Sequence, residues 1–239
     1  MAIEKEFIKY KKRGAYHWRQ VSDDIKRSNA FVKARYQKCM KLLESEAEDI
    51  SGKKVLDLGC GDGVLTYMVQ KRGARVRGID LSELAIQFAR EQHKKRGSDA
   101  TFTCCSVYDA GFEDNSFDVI FCSDVIEHVS DPLPLLGEIK RILKPGGKAI
   151  ISTPIRVTSK PLDEMHVFEW FPEEFEDAVK NVFENSKFFV SHPLFWFEFF
   201  SHSQVNRVVT NLISKWRNPF LSDSPNWKYF AMQYAVSEK

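Results

Sequence analysis

From Lys54 to Pro154 the chain alternates short apolar runs with stretches of helical periodicity, and this alternation restricts the fold more than any other feature. KKVLDLG, ARVRGIDL, ATFTCCSV, FDVIFCS and KAIISTP read as five successive strands. A helix through Leu65, Met68 and Val69 follows the first and ends near Gly73. Ser82 caps a second helix, with Ala85, Phe88 and Ala89 on one face and Gly97 just past its end. Asp131-Pro132 opens a third, with Leu136, Ile139 and Leu143 inward and Pro145-Gly146-Gly147 as its stop. Strands joined by helical crossovers pair in parallel and need helices on both faces. The expected core is therefore α/β, a doubly wound and mostly parallel sheet.

The flanks have a different texture. Residues 28–49 form an amphipathic helix through Val32, Tyr36, Met40 and Leu43, and residues 1–50 read as an N-terminal helical segment or lid. The main domain is expected over 51–239. Beyond Pro154 the chain turns aromatic, in HVFEWFPEEF, NSKFFVSHPLFWFEFF and PNWKYFAMQYAV. From Ser203 a helical stripe runs through Val205, Val208, Val209, Leu212, Ile213 and Trp216. The last strand, near Lys228–Val236, alternates as an edge-type antiparallel strand would. Residues 155–225 are expected to supply the last sheet elements and an aromatic-rich cap over the substrate.

Composition narrows the class. A net charge of +2 does not argue for nucleic acid. The twelve basic residues against four acids over residues 1–41 fit a solvated helical face more simply than an anion-binding surface. Five cysteines (Cys39, Cys60, Cys104, Cys105, Cys122) without CxxC spacing read as reduced thiols of a cytoplasmic protein. No apolar run is long enough to span a membrane, and the N-terminus lacks a signal-peptide core.

The loop from Asp57 to Gly63, sequence DLGCGDG, joins a strand to a helix. Glycines there permit tight turning and close approach of a ligand to the backbone. The order is GxGxG, and Val64 stands where a dinucleotide fingerprint needs its third glycine, which disfavours a nicotinamide cofactor. Asp80 ends the second strand, where an acid can hold both hydroxyls of a ribose.

VLDLGCGDG, GIDLS, the FDVI strand, IEHVSDP and LKPGGKAIISTP resemble, block by block, the class I S-adenosylmethionine-dependent methyltransferases over roughly Lys53–Pro154. The resemblance implies a Rossmann-like sheet of seven strands and S-adenosylmethionine as cofactor. It implies that Asp57, Gly59, Cys60 and Gly61 hold the methionine moiety, that Asp80 takes the ribose, and that Leu81 packs on the adenine. Ser106 and Val107 fall at the adenine edge; many family members carry Asp in place of Ser106. Ser123 falls at the mouth of the site.

FCSDVIEHVSDP, residues 121–132, places Asp124, Glu127 and His128 beyond the fourth strand, at the mouth where open α/β sheets bind ligands. A helical turn over 124–129 would put Asp124 and His128 on one face. His166, in DEMHVFEWFPEEF, lies beyond the fifth strand. The runs Asp124-Val-Ile-Glu127-His128 and His166-Val-Phe168-Glu169-Trp170 resemble patterns in three groups: quinone-biosynthesis O-methyltransferases, glycan-type methyltransferases, and small-RNA 2′-O-methyltransferases that hold a divalent metal there. Three readings stay open. The groups satisfy helix ends and loop backbone; a histidine takes the acceptor's proton; or Asp124, Glu127, His128 and His166 bind a divalent metal.

The expected activity is methylation of a hydroxyl on a small molecule, glycan intermediate or quinone-like ring, because the aromatic cap suits an acceptor with apolar or planar parts. RNA 2′-hydroxyl methylation and a donor-binding regulatory protein without turnover are the rival readings. The absence of a separate RNA-binding module disfavours the first of them.

Overall fold

Neighbouring residues of the central strands point into opposite cores. Val55, Val119, Phe121 and Ile150 enter one, while Leu56, Leu58, Ile120, Cys122 and Ile151 enter the other. A sheet apolar on both faces must be covered on both, and the helical crossovers do so. The computed structural model describes residues 9–46, 49–157, 161, 163–222 and 226–239. Residues 1–8 and 47–48 of the N-terminal segment, and 158–160, 162 and 223–225 of the expected cap, lie outside the described residues.

The strands are β1 (Lys54–Leu58), β2 (Arg75–Asp80), β3 (Thr101–Cys104), β4 (Phe117–Ser123), β5 (Leu143–Pro154), β6 (Asn185–Pro193) and β7 (Phe230–Glu238). They form one seven-stranded sheet in the order β3-β2-β1-β4-β5-β7-β6, parallel except for β7, which runs antiparallel to both neighbours. The order reverses between β1 and β4, so their carboxyl ends flank a crevice. The helices are α1 (Lys9–Arg13), α2 (Tyr16–Gln20), α3 (Ala30–Glu46), α4 (Val64–Gln70), α5 (Glu83–Lys94), α6 (Pro132–Ile142), α7 (Pro172–Lys180), α8 (Leu194–His202) and α9 (Gln204–Ile213). Side chains of α3 and α4 fill one core, and those of α6 and α7 the other.

Three expectations are corrected. The last strand is not at an edge. β7 sits between β5 and β6, buried along most of its length, and β6 takes the edge. Pro145-Gly146-Gly147 does not lie outside the fifth strand: β5 already begins at Leu143, and its register with β4 shifts between Phe117 and Val119. A side chain at Gly147 would press on the carbonyls of Asp118 and Lys144, so the glycine makes room for this irregularity. The third strand stops at Cys104, short of Ser106 and Val107.

The aromatic segment packs against the start of α3. Phe200 and Phe220 form a cluster with Ala30 and Ala34, joined by Phe31 and Trp196. The stripe on α9 faces outward, contrary to the usual burial of such a face. Among the described residues no helix is long and apolar enough to cross a membrane.

Candidate active site

The β1–α4 loop is held from below by acids. Asp57 is buried and accepts a 2.5 Å hydrogen bond from the Thr66 hydroxyl; burial pushes its carboxyl up to about 6, against the pull of that bond. Gly59 and Gly61 lie in the left-handed region, at φ 72° and 53°. A side chain at Gly59 would overlap Val125, and one at Gly61 would overlap the Tyr10 hydroxyl. Asp80 accepts from the Gly61 amide at 2.9 Å and from Ser82 at 2.8 Å, so it fixes the loop while its carboxylate borders the crevice. Leu81, beside it, is 60% exposed, an apolar platform open to solvent.

Other expected donor-site residues are less available. Cys60 is buried, its thiol turned into a cluster with Ile86, Ala89 and Phe102 and its amide bonded to the Ile79 carbonyl. Val107 is buried in the core beside α6, while half-buried Ser106 accepts a bond from the Tyr108 amide. Ser123 pairs with Ser152, hydroxyl to hydroxyl at 2.8 Å.

The N-terminal segment folds over this loop. Tyr10 and Tyr16 are buried. The His17 amide and ring both meet the Asp62 carboxylate at 3.1 Å, and the Trp18 indole N–H donates to the Asp62 carbonyl at 2.6 Å. Lys9 pairs with Asp163 at 2.6 Å, tying α1 to the segment that carries His166. Asp62 and Tyr10 were not among the expected site residues. The aromatic triplet Tyr16-His17-Trp18, outside the core pattern, was the signal available.

Beyond β4 the geometry differs from a continuous helical turn. Asp124 has φ 56°, and only Ile126–His128 wind into a 3-10 turn, so Asp124 and His128 do not share a helix face. The Asp124 carboxylate instead pairs with Arg35 of α3 at 2.5 Å. Glu127 is buried, accepts from the Thr153 hydroxyl at 3.2 Å, and is pushed well above the usual carboxylate range by burial and by Asp124. Its carbonyl accepts from the amides of Val167 and Phe168, which brings the His166 segment alongside.

His128 Nδ1 lies 3.0 Å from the Met165 carbonyl, an acceptor only, so that nitrogen carries the proton and Nε2 the lone pair. His166 Nδ1 lies 2.7 Å from Glu169, which assigns the same tautomer. One ligand atom from each of Glu127, His128 and His166 falls within 4.8 Å of the others. The structure thus gathers three of the four expected residues and sets Asp124 apart. Arg35 and Glu169 complete the surroundings; Glu169 stood in the His-x-x-Glu-Trp run but not among the candidates.

Two imidazoles and a carboxylate form a borderline nitrogen–oxygen donor set suited to zinc, manganese, cobalt or iron. Both imidazoles are oriented through Nδ1 by oxygen acceptors, as metal-ligating histidines are. The residues fit a divalent cation.

Residues 56–151 match the family model of a methyltransferase domain. Ubiquinone biosynthesis O-methyltransferase from Idiomarina loihiensis is 36% identical over 136 residues, 55% of this chain and 56% of that one. The enzyme of the same name from Thiobacillus denitrificans is 41% identical over 105 residues, 44% of this chain and 45% of that one. The chain spans about half the length of the curated relatives it matches. Among solved structures, phosphoethanolamine N-methyltransferase 2 of Haemonchus contortus with S-adenosyl-L-methionine has a TM-score of 0.69 at 22% identity, covering 100% of this chain and 60% of that one. A SAM-dependent methyltransferase from Archaeoglobus fulgidus has 0.60 at 19% identity, covering 86% and 94%. At these identities the structures establish the fold.

Proposed function

We propose that this chain, a member of the class I S-adenosylmethionine-dependent methyltransferases, methylates a hydroxyl on a quinone-like aromatic ring. The single observation that carries the chemistry is the pair of imidazoles at the sheet mouth, edge to face with centroids 5.0 Å apart, each with its Nδ1 held by an oxygen acceptor and Nε2 as the basic nitrogen.

When bound, S-adenosylmethionine supplies a methyl group on a cationic sulfur, and its thioether product departs without a proton from the protein. The glycine loop and Asp57 are assigned to its amino-acid end, Asp80 to the ribose and Leu81 to the adenine. The cradle fits such a group: Gly59 and Gly61 turn the loop in the left-handed region without side chains, and Asp80 presents a carboxylate at the strand end. The chain's remaining task is to align an acceptor hydroxyl and accept its proton. His128 or His166 takes that proton through Nε2. Glu169 stabilises the charge that develops on His166, and the Met165 carbonyl orients His128. A divalent ion held by Glu127, His128 and His166 would lower the hydroxyl's pKa and assist the same transfer. The N-terminal segment, clamped to Asp62, excludes water from the loop.

The relatives' names favour a ring hydroxyl over a ribose hydroxyl or a glycan, and the RNA and non-catalytic readings rank below it. The test is incubation with S-adenosylmethionine and a panel of catechols, ribonucleotide ends and sugars, read by mass spectrometry. A methyl ether formed on the catechols supports the reading. Methylation confined to another acceptor class, or donor binding without turnover on any of them, rejects it.

A further inference from the structure

Helix α9 is built inside out. Its buried face is polar: Thr210 and Asn211 are almost fully covered, with Ser214 just beyond the helix end. Asn211 donates to the carbonyls of Ile25 and Ser28 and accepts from the Ala30 amide, and Thr210 and Ser214 bond to carbonyls of their own turn. This polar seam clamps α9 to the loop between α2 and α3. The opposite face carries Val205, Val208, Val209, Leu212 and Ile213, all exposed, and runs on to Trp216, which is 93% exposed. On a 100° helical wheel Lys215 and Arg217 fall on either side of that stripe, and both are exposed. From Phe199 to Ser222 the sequence contains Arg207, Lys215 and Arg217 and no acid.

An apolar face of this kind marks an interaction surface, and its charge selects the partner. A second copy seated face to face would set Lys215 and Arg217 against their own equivalents with no acid between them. An anionic lipid surface instead meets cations with anions and takes valine, leucine and tryptophan into the boundary between headgroups and acyl chains. We propose that the outward face of α9, with Trp216, Lys215 and Arg217, docks the protein peripherally on anionic membranes. The surface lies outside the candidate active site and binds lipid whatever the acceptor proves to be. Its link to the loop after α2 joins membrane contact to the segment that folds over the glycine loop.

Co-sedimentation of the full chain with sucrose-loaded vesicles tests this. Vesicles of phosphatidylcholine containing phosphatidylglycerol should carry the protein down, and vesicles of phosphatidylcholine alone should carry much less. Leu212→Asp and Lys215→Glu/Arg217→Glu should each weaken binding about tenfold or more. These side chains are exposed, so circular dichroism should show the variants folded. Brominated lipid should quench the wild type more than Trp216→Phe. Wild-type protein that stays in the supernatant with anionic vesicles overturns the proposal. So does a dimer in sedimentation velocity that Leu212→Asp dissolves without any lipid binding, since that outcome gives the face to a second copy.

Discussion

The imidazole rings of His128 and His166 meet edge to face with centroids 5.0 Å apart, although they come from segments that follow different strands. Each ring is turned by an oxygen behind it, the Met165 carbonyl for one and Glu169 for the other. Replacing either histidine by alanine should lower turnover by about 10²–10⁴ and leave donor affinity nearly unchanged. Chelator separates the two modes: activity that disappears and returns with Mn²⁺, Co²⁺ or Zn²⁺ assigns a metal, and activity that survives assigns a base. Burial, reinforced by His166, holds His128 below the ordinary imidazole pKa against the pull of the Met165 carbonyl. With His128 as base, the acid limb of kcat/KM should therefore lie below about 6.5. Near wild-type rates in both alanine variants would leave the pair only finishing its loop.

Asp80 both borders the crevice and fixes the glycine loop through the Gly61 amide. Asp80→Ala should remove charge-assisted hydrogen bonds worth about 1.5–3 kcal/mol, so affinity for S-adenosylmethionine or its demethylated product should drop about tenfold or more. Titration calorimetry reads this directly. Unchanged affinity would remove Asp80 from the donor site.

The ion pair of Arg35 and Asp124 joins α3 to the end of β4, and both side chains are about four-fifths covered. Asp124 is also held by its amide on the Ser152 carbonyl. Removing one partner should destabilise by about 2 kcal/mol, because the other charge is left largely covered and unpaired. Arg35→Met with Asp124→Asn should recover part of that cost. Urea denaturation of the two single variants and the double completes the cycle. Strictly additive losses would show that the two residues do not couple.

Strands β1–β5 and their crossovers were readable because each apolar run is bounded by glycine, proline or a capping residue, and both faces of the sheet are apolar. The place of β7 was not readable, since alternation within a strand does not say which neighbours it pairs with. The stripe on α9 shows the same limit: periodicity finds an apolar face but not its direction. Here Asn211 turns the polar face inward by bonding to the Ser28 carbonyl, while the buried Thr210 hydroxyl is satisfied within its own helix. The histidine group was legible from its place after two strands. Arg35 was not, because a single arginine on a helix gives no sign of the distant carboxylate it will meet. Asp124 left the expected cluster for that partner, and the left-handed turn at its backbone goes with the change.

His192 gives a prediction for stability. It closes β6 at φ 67°, fully buried, with Nε2 2.9 Å from the Phe31 carbonyl and Nδ1 2.6 Å from the Ser191 hydroxyl. Its ring stacks on Phe220 with centroids 5.6 Å apart. Burial lowers its pKa to about 3, against the bond to Phe31. The folded protein therefore keeps this ring neutral where the unfolded chain would protonate it, and the unfolded state binds the extra proton. Stability from this group is complete above about 6.5 and is lost at roughly 1.4 kcal/mol per pH unit as the pH falls toward about 3. His192→Asn tolerates the left-handed backbone and carries no titrating ring. It should be less stable than wild type at pH 8, yet its unfolding free energy should fall less steeply between pH 6 and pH 4. Urea melts at a series of pH values measure the two slopes. Parallel slopes for wild type and variant would show that His192 takes up its proton in the folded state as readily as in the unfolded one.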